Sequence, residues 1–420
     1  MKLLLIHPKF PYRGKDLFPL GLSYLAAIAK KKGEVRVVDE NIGEIDENFV
    51  REFSPELIGI SCTTPSFSRG LEIMNKLRVW VNRARIFFGG THVTFKTEEA
   101  INAGADFVIR GEGEATLEEI LEKKPLNRIS GISYKSDDKI VHNPDRGLIK
   151  NLDAIPSPAY ELFPIHNYGI MSVITSRGCP YSCIYCSASR FWGNKVRFHS
   201  VDRVHKELIT VKKLGFKKIR FMDSIFNLNK ERTLEICEII KDMGFIWSCE
   251  VRADLFDEEI AKAMSESGCF LICVGVDSAS QRVLDACNRK MRVEDIKNAF
   301  KIAKKFDIRT RAYVTFGFPG ENEKSVVETI KFLKEVKPDK ILLSLATAYP
   351  GTKLEESGRF IEMHPSWVAK FHGHGYGARL YLPEGMSKRE YIRLADLMYK
   401  EIKKLNRSIH SERYLWGRGN

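Results

Sequence analysis

Three cysteines lie close enough in the chain to share one metal centre. Cys179, Cys183 and Cys186 occupy the segment CPYSCIYC with the spacing C-x3-C-x2-C. Three thiolates in one short loop can hold three irons of a 4Fe-4S cluster and leave the fourth iron open to a ligand from a substrate. A closed structural zinc site needs four ligands, so the spacing favours the open cluster over zinc or over unligated, buried cysteines.

The length, cysteine count and charge of the chain exclude several classes of protein. The chain has 420 residues and nine cysteines, an odd number in a chain long enough to need no disulfides. Lys and Arg number 67 against 54 Asp and Glu, a net charge of +13 that is spread without a run of like charges. The missing charge run argues against a dedicated nucleic-acid arm, whereas the positive balance favours anionic partners such as phosphorylated cofactors, acidic protein surfaces or RNA without choosing among them. No apolar stretch is long enough for a membrane span or a signal peptide, so we expect a cytoplasmic protein without membrane insertion.

Hydropathy patterns predict the elements that position the cysteines. In residues 1–125, short apolar strands alternate with amphipathic helices, which predicts a doubly wound, Rossmann-like α/β domain. Residues 126–167 are rich in proline and are expected to form a hairpin and linker. Six further strands in residues 168–355, each followed by a helix or a long loop, predict a partial (β/α)6, TIM-like barrel with its site at the carboxyl ends of the strands. Residues 356–420 form a small C-terminal extension.

The cysteine motif, with Tyr185 before its last cysteine, resembles the signature of the radical S-adenosylmethionine (SAM) superfamily. The resemblance covers residues 168–355 and implies a 4Fe-4S cluster on the three cysteines. The segments FMDSIF, EVRAD, VGVDSAS and FGFPGE resemble the strand-end motifs that bind SAM in this family. They implicate Asp223 and Ser224 at the methionyl amine, Arg252 at the carboxylate, Asp277 at the ribose, where relatives usually have Glu, and Gly317 and Gly320 beside the adenine.

The first domain resembles the cobalamin-binding domain that is fused to some radical SAM cores. The likeness rests on FPLGLSYLAA, IGISCTT, GGTHVT and DFVIRGEGEAT and spans nearly all of residues 1–125. No G-x-G-x-x-G follows the first strand, as a dinucleotide-binding domain would have. The resemblance implies a cobalamin crevice at the carboxyl ends of the strands. Its predicted lining is Ser61, Thr63, Thr64, Gly89, Gly90, Thr91, His92 and Gly113, although a loop histidine such as His92 more often makes only structural hydrogen bonds.

One departure from the cobalamin domains concerns the lower face of the cobalt. Many of them carry D-x-H-x2-G after the first strand, with the histidine as cobalt ligand. Here the segment is DLFPLG, beginning at Asp16, and Phe18 stands at the histidine position. The resemblance therefore implies base-off cobalamin without a protein histidine ligand. Thr64, Phe67 and Arg69 are candidates for approaching that face.

The resemblance implies a cobalamin-dependent radical SAM methyltransferase. Such an enzyme methylates an unactivated carbon through methylcobalamin and a 5′-deoxyadenosyl radical, and it needs an external electron donor. The substrate is expected to be an anionic small molecule, peptide or protein residue, bounded by the loop 360–382 with its His372 and His374. A cyclase or rearrangement enzyme with the same cofactors is one alternative. A cobalamin- or redox-sensing binding protein is the non-enzymatic alternative.

Overall fold

The computed structural model describes residues 1–9, 17–373 and 379–408, and the chain divides into two units between Gly169 and Ile170. His374 and Asp16 lie outside the described residues. None of the helices in the described ranges is long and apolar enough to cross a membrane.

In the described part of the first unit, a seven-stranded sheet has the order β2-β1-β3-β4-β5-β6-β7, with β1 to β5 parallel. Its strands are β1 (Lys2–His7), β2 (Glu34–Asp39), β3 (Leu57–Ser61), β4 (Arg85–Gly89), β5 (Phe107–Ile109), β6 (Ile132–Ser136) and β7 (Lys139–His142). The helices are α1 (Leu20–Ala29), α2 (Glu47–Phe53), α3 (Phe67–Trp80), α4 (Thr91–Phe95), α5 (Thr97–Asn102) and α6 (Glu114–Leu121). The predicted doubly wound sheet is confirmed.

Apolar strand residues form the core of this sheet. Leu4, Ile6, Ile58, Ile60 and Phe88 belong to one buried cluster. Because helices cover a parallel sheet on both faces, its strands are nearly continuous apolar runs. The carboxyl ends of β1 to β5 then lie at a single edge, and that edge is where a doubly wound fold binds its ligand.

The segment 126–167, predicted as a hairpin and linker, lies within the first unit. Its hairpin, β6 and β7, adds antiparallel strands to the edge of the sheet next to β5. The rings of Tyr160, Phe163 and Tyr168 pack around Phe18 with centroid distances of 5.3, 4.8 and 5.3 Å. Burial of these aromatic rings attaches the segment to the sheet, which a proline-rich composition alone does not reveal.

Among the described residues of the second unit, six parallel strands form a sheet in the order β15-β14-β13-β12-β11-β8. Two short antiparallel pairs, β9 with β10 and β16 with β17, accompany it. The strands are β8 (Met171–Val173), β9 (Ser176–Arg177), β10 (Arg197–Phe198), β11 (Lys218–Phe221), β12 (Ile246–Val251), β13 (Cys269–Asp277), β14 (Arg309–Phe316), β15 (Lys340–Leu345), β16 (Phe360–Ile361) and β17 (Leu380–Tyr381).

Helices follow the strands of this sheet as the sequence predicts. They are α7 (Ala188–Trp192), α8 (Val201–Lys213), α9 (Lys230–Lys241), α10 (Glu258–Glu266), α11 (Gln281–Ala286), α12 (Val293–Lys305), α13 (Glu323–Val336), α14 (Lys353–Glu356), α15 (Pro365–Val368) and α16 (Lys388–Ser408). Side chains of Ser200, Asn229 and Asp257 cap α8, α9 and α10 by accepting a backbone N–H of the first turn. Each helix thus starts just after a loop at the carboxyl edge of the sheet.

Candidate active site

The three cysteines of the motif lie in the loop between β9 and α7, at the start of the barrel sheet. Cys183 is buried, Cys179 and Cys186 are half-buried, and all three are free thiols. Burial raises the pKa of Cys186 to about 11, with Cys183 and Cys179 close enough to contribute. Burial also raises the pKa of Cys179. Thiols of this kind resist ionisation by themselves, and bound iron supplies the positive charge that stabilises the thiolates.

The number of thiols in this loop matches the ligand requirement of an open cluster. A closed structural zinc site takes four protein ligands, whereas a 4Fe-4S cluster takes one thiolate at each iron that the protein holds. The loop supplies three thiols, which suits a cluster with one iron left open.

Arg289 lies beside the cysteine loop and was not found from the sequence. Its Nη1 donates to Cys183 Sγ at 3.8 Å, and its Nε is 2.8 Å from Asp277 Oδ2. Burial opposes the charge, but the Asp277 carboxylate raises the pKa of Arg289 above its ordinary value. Arg289 is 106 residues from Cys183 in the chain, so spacing offered no signal for this contact.

Asp277 and Tyr185, both predicted to bind SAM, meet in the structure. The Tyr185 hydroxyl donates to Asp277 Oδ2 at 2.7 Å. Burial and the Asp277 carboxylate raise the pKa of Tyr185 well above its ordinary value, so the phenol keeps its proton. Asp277 ends β13 with a φ of 58°, which turns the chain at the strand end. The acid is thereby fixed next to the cysteine loop, and its contact with ribose stays a prediction.

Asp223, predicted at the methionyl amine of SAM, is buried beside β8 and β9, and its contact with SAM stays a prediction. It is 1% exposed, and its carboxylate accepts hydrogen bonds from the Thr175 hydroxyl at 2.7 Å and the Ser176 hydroxyl at 2.5 Å. Burial raises the pKa of Asp223, while these hydrogen bonds oppose the rise. Asp223 thus braces the turn from β8 to β9, just before the cysteines. Its neighbour Ser224 is exposed.

Arg252 reaches the cysteine loop through an aromatic ring. Its guanidinium lies 3.5 Å from the ring centroid of Tyr181, which stands between Cys179 and Cys183 in the chain. Its Nε is 2.7 Å from Asp254 Oδ1. The side chain is 1% exposed, and cation–π contacts of this kind strengthen when water is excluded. Arg252 therefore brings positive charge to the loop, and its contact with the SAM carboxylate stays a prediction.

A cavity of about 190 Å³ lies at the carboxyl ends of β14 and β15. The Tyr185 and Phe318 rings, 4.6 Å apart, form part of its lining together with Thr315, Ser344 and His372. The cavity is smaller than the roughly 300–1,000 Å³ of a complete small-molecule site, so it has room for only one part of a ligand. A larger cavity, about 740 Å³, includes Asp254 and Lys301 but none of the predicted cofactor residues. We therefore regard the smaller one as the functional cavity.

The FGFPGE turn beside this cavity needs its glycines. Gly317 has a φ of +94° and Gly320 a φ of +81°, in the left-handed region that favours glycine. A Cβ on Gly317 would lie 2.8 Å from the Tyr391 ring and hydroxyl. Close packing of Tyr391 of α16 against the turn thus requires glycine at position 317, and the place of Gly317 beside the adenine stays a prediction.

In the first unit, the ends of β3 and β4 bring most of the predicted crevice residues together. Ser61 pairs with Gly89, and the Cys62 amide donates to the Gly89 carbonyl at 2.9 Å. Gly90 has a φ of +100°, and a Cβ there would lie 2.4 Å from the Cys62 carbonyl oxygen. Thr63 and Thr64 follow β3, and Thr91 begins α4 just after β4.

Glycine backbone at this edge fits a large planar ligand. A Cβ on Gly89 would meet only one atom within 4 Å, the Ile109 carbonyl oxygen at 3.9 Å, so open space adjoins the backbone. Gly113 differs, because it starts α6 and a Cβ there would lie 3.3 Å from Leu25 of α1. The structure therefore groups the residues of the β3 and β4 ends and places Gly113 beside α1.

His92 and Arg69 are both held by neighbouring side chains. His92 Nδ1 is 3.2 Å from the Thr64 hydroxyl, and Nε2 is 3.2 Å from Glu99 Oε2. Its ring packs 4.1 Å from that of Phe67. Arg69 forms a two-pronged ion pair with Glu40 at 2.7 and 2.8 Å. These contacts fix the loop after β3.

Phe18 and His7 bear on the expected cobalt environment. Phe18 is 2% exposed inside its aromatic cluster, so the position offers a core side chain and no imidazole. His7, which the sequence analysis did not single out, ends β1, and its Nδ1 is 3.1 Å from Asp39 Oδ1. The His7 side chain is 26% exposed. An imidazole is therefore present at this edge of the sheet, away from the position of the motif.

Comparisons with known proteins agree with both halves of this description. Residues 173–333 match the model of the Radical SAM superfamily, and residues 12–121 match that of the B12 binding domain. The chain is 36% identical over 379 residues to the uncharacterized methyltransferase PH0819 of Pyrococcus horikoshii, covering 85% of this chain and 83% of the relative. The chain thus belongs to the radical SAM superfamily, in the group whose members also carry a B12 binding domain.

Two further relatives extend the comparison. The anaerobic magnesium-protoporphyrin IX monomethyl ester cyclase of Rubrivivax gelatinosus is 26% identical over 428 residues, covering 93% of this chain and 75% of the relative. The radical SAM methyltransferase TsrM of Kitasatospora setae, solved with cobalamin and a 4Fe-4S cluster bound, superposes with a TM-score of 0.78 at 19% identity. That match covers 94% of this chain and 90% of TsrM, and at this identity it supports the fold.

Proposed function

We propose that this member of the family is a methyltransferase and that its methyl acceptor is an unactivated carbon of an anionic small molecule, peptide or protein residue. The observation that carries the proposal is the open three-thiol loop, with Arg289 at 3.8 Å from Cys183, in a chain that also has the B12 binding domain. The name of the Pyrococcus relative points the same way.

Different residues of the second unit would bind the cluster and the separate parts of SAM. Cys179, Cys183 and Cys186 would hold the cluster, and the Tyr185–Phe318 ring pair suits an aromatic base such as adenine. Arg252 supplies positive charge for a carboxylate. When bound, the cluster supplies the electron that cleaves SAM and cobalamin carries the methyl group. The protein's own part is to hold these groups and the acceptor in line and to exclude water.

The chain needs partners beyond its substrate. All nine cysteines are free, and the six outside the motif do not form a second motif of its kind. An external electron donor would therefore reduce the cluster again after each cleavage of SAM. Free thiols and an iron–sulfur cluster suit a reducing compartment, so we place the protein in the cytoplasm. We further propose base-off cobalamin without a protein histidine ligand, because Phe18 is a core residue at the motif position.

A cyclase activity is the second candidate. It is favoured by the relative from Rubrivivax gelatinosus, which is named as a cyclase. Both activities begin with the same cleavage of SAM, and only methyl transfer leaves a SAM-derived carbon in the product.

Incubation with methyl-deuterated SAM separates the two. The reconstituted protein, cobalamin and a reductant are incubated with the small-molecule and protein fractions of a cell extract, with the Cys183→Ala variant as control. We expect a product that carries three deuteriums, together with S-adenosylhomocysteine and 5′-deoxyadenosine in roughly equal amounts with each product formed, as one SAM serves as methyl donor and one as radical source. An altered product without label, with 5′-deoxyadenosine but no S-adenosylhomocysteine, would overturn methyl transfer in favour of cyclisation.

A further inference from the structure

Charged side chains line the face of the barrel sheet that leads to the functional cavity. Glu250 of β12, Cys273 of β13 and Arg311 of β14 are register partners on adjacent strands and therefore share one face. Tyr313 and Thr315 follow Arg311 at every second position, so they share that face too. Because Thr315 lines the cavity, the charged row and the cavity belong to the same side of the sheet.

Arg220 joins this row from β11. Its Nη2 donates to Glu250 Oε1 at 2.6 Å and to the Tyr313 hydroxyl at 3.4 Å, and it lies 3.9 Å from Cys273 Sγ. We call Arg220, Glu250, Cys273, Arg311 and Tyr313 the inner arginine cluster. The Arg220 side chain is 14% exposed, which makes its charge largely desolvated. Despite burial, the Glu250 carboxylate raises the pKa of Arg220 above its ordinary value, so the guanidinium is charged.

One buried donor of the cluster has no acceptor. Arg311 and its register partner, Lys340 of β15, lie on the same face of the sheet as Arg220, so several positively charged side chains share this face. The buried Nε of Arg220 has no hydrogen-bond partner among the described residues. Buried donors are normally satisfied, and an unsatisfied one needs an explanation such as an absent ligand. A guanidinium N–H makes its strongest hydrogen bond to a negatively charged acceptor, and the Nε of Arg220 lacks one.

We propose that the inner arginine cluster binds an anionic group of the substrate, a carboxylate or a phosphate. The guanidinium group of arginine can donate two parallel hydrogen bonds to either a carboxylate or a phosphate. Arg311 and Thr315 are four residues apart on one strand, about 13 Å, so the substrate is elongated, with its acidic end deep in the barrel and its reacting carbon near the cavity. This inference rests on the proposed function, because it assigns the acidic end of that enzyme's substrate.

Direct observation of a bound anion tests the proposal. Crystals of the full chain, grown without sulfate, phosphate or carboxylate, are soaked separately in 4-bromobenzoate and in selenate, which stand for a carboxylate and a phosphate. We expect an anomalous peak for at least one probe within hydrogen-bond distance of Arg220 or Arg311, and the probe that binds identifies the group. Peaks at other places only, or none, would overturn the proposal.

Titration calorimetry with the same probes adds a solution measurement. Arg220→Gln and Arg311→Gln should weaken binding at least tenfold, whereas Arg393→Gln, with the same change of charge on an exposed helix residue, should match wild type. Equal affinity in all variants contradicts the proposal. If the glutamine variants do not fold, the wild-type crystal decides. The probes need no SAM or reductant, so a failed methyl-transfer assay leaves this result unaffected, and an active methyltransferase that binds neither probe refutes this inference alone.

Discussion

The guanidinium of Arg289 donates a hydrogen bond to the sulfur of Cys183 across 3.8 Å. The same side chain is ion-paired with Asp277, which in turn accepts from Tyr185. A positive charge is therefore held against one of the three thiols by Asp277, the acid that ends β13. Hydrogen bonds to cluster sulfurs and local charge are the means by which proteins set the reduction potential of an iron–sulfur cluster.

Replacing Arg289 should change the potential of the cluster. Loss of positive charge in Arg289→Gln disfavours the added electron, so we expect a lower midpoint potential with the iron content retained. The midpoint potential of Arg289→Lys should lie between those of Arg289→Gln and wild type. Arg292 is an exposed neighbour paired with Asp295, and Arg292→Gln should have the midpoint potential of wild type. The measurement is a redox titration followed by electron paramagnetic resonance. An unchanged potential in Arg289→Gln would show that the contact only shapes the loop.

The choice of ligand cysteines can be tested through iron content. Reconstituted wild type should bind about four irons and four sulfides per chain. Alanine at Cys179, Cys183 or Cys186 should remove most of that iron and abolish formation of 5′-deoxyadenosine. Cys269→Ala, which changes a buried cysteine of β13, is the matched control. It should retain the bound iron and the formation of 5′-deoxyadenosine. Retention of the cluster in the motif variants, with its loss in the control, would mean that the wrong cysteines were chosen.

The cobalt environment is accessible to spectroscopy. Because Phe18 is enclosed by aromatic rings at 4.8–5.3 Å, we expect bound cob(II)alamin to be base-off. Its electron paramagnetic resonance spectrum should show no nitrogen superhyperfine splitting from protein. His7→Phe should leave the spectrum unchanged. Nitrogen splitting in wild type that disappears in His7→Phe would contradict the expectation and identify His7 as the ligand.

Glu321 should make stability depend on pH. Burial raises the pKa of Glu321 to about 7, although hydrogen bonds from Ser325 and Gly317 oppose the rise. Between the ordinary value of 4.5 and about 7, the folded chain binds a proton that the unfolded chain has lost. Stability therefore falls as pH rises through this window, by up to about 3 kcal/mol, and is level above it.

The variant Glu321→Gln has no group to ionise at this position. Its free energy of unfolding relative to wild type should increase between pH 5 and pH 8 by the same amount, about 3 kcal/mol at most. Thermal unfolding of the protein without SAM measures this difference. Glu335→Gln, an exposed acid paired with Lys297, should show no such trend. A constant difference between Glu321→Gln and wild type at both pH values would rule out the raised pKa.

Much of the architecture was predictable because it depends on local pattern. Alternating apolar strands and amphipathic helices correctly predicted both sheets. The segment 126–167 was harder, since its place in the first unit depends on the contacts of Tyr160 and Phe163 with Phe18. Such contacts join residues far apart in the chain, and neither proline content nor periodicity encodes them.

By itself, the sequence determined the cysteine loop and the positions of the glycine turns, because the spacing of thiols within eight residues and the freedom of glycine are local properties. Only the tertiary structure decided the partners of the charged groups. Asp223, for example, accepts hydrogen bonds from Thr175 and Ser176, which lie almost fifty residues earlier in the chain. Arg289 reaches Cys183, and Arg220 reaches Glu250, because parallel strands and the loops after them bring distant residues to the same edge or face. Register between strands, which no single segment specifies, sets those distances.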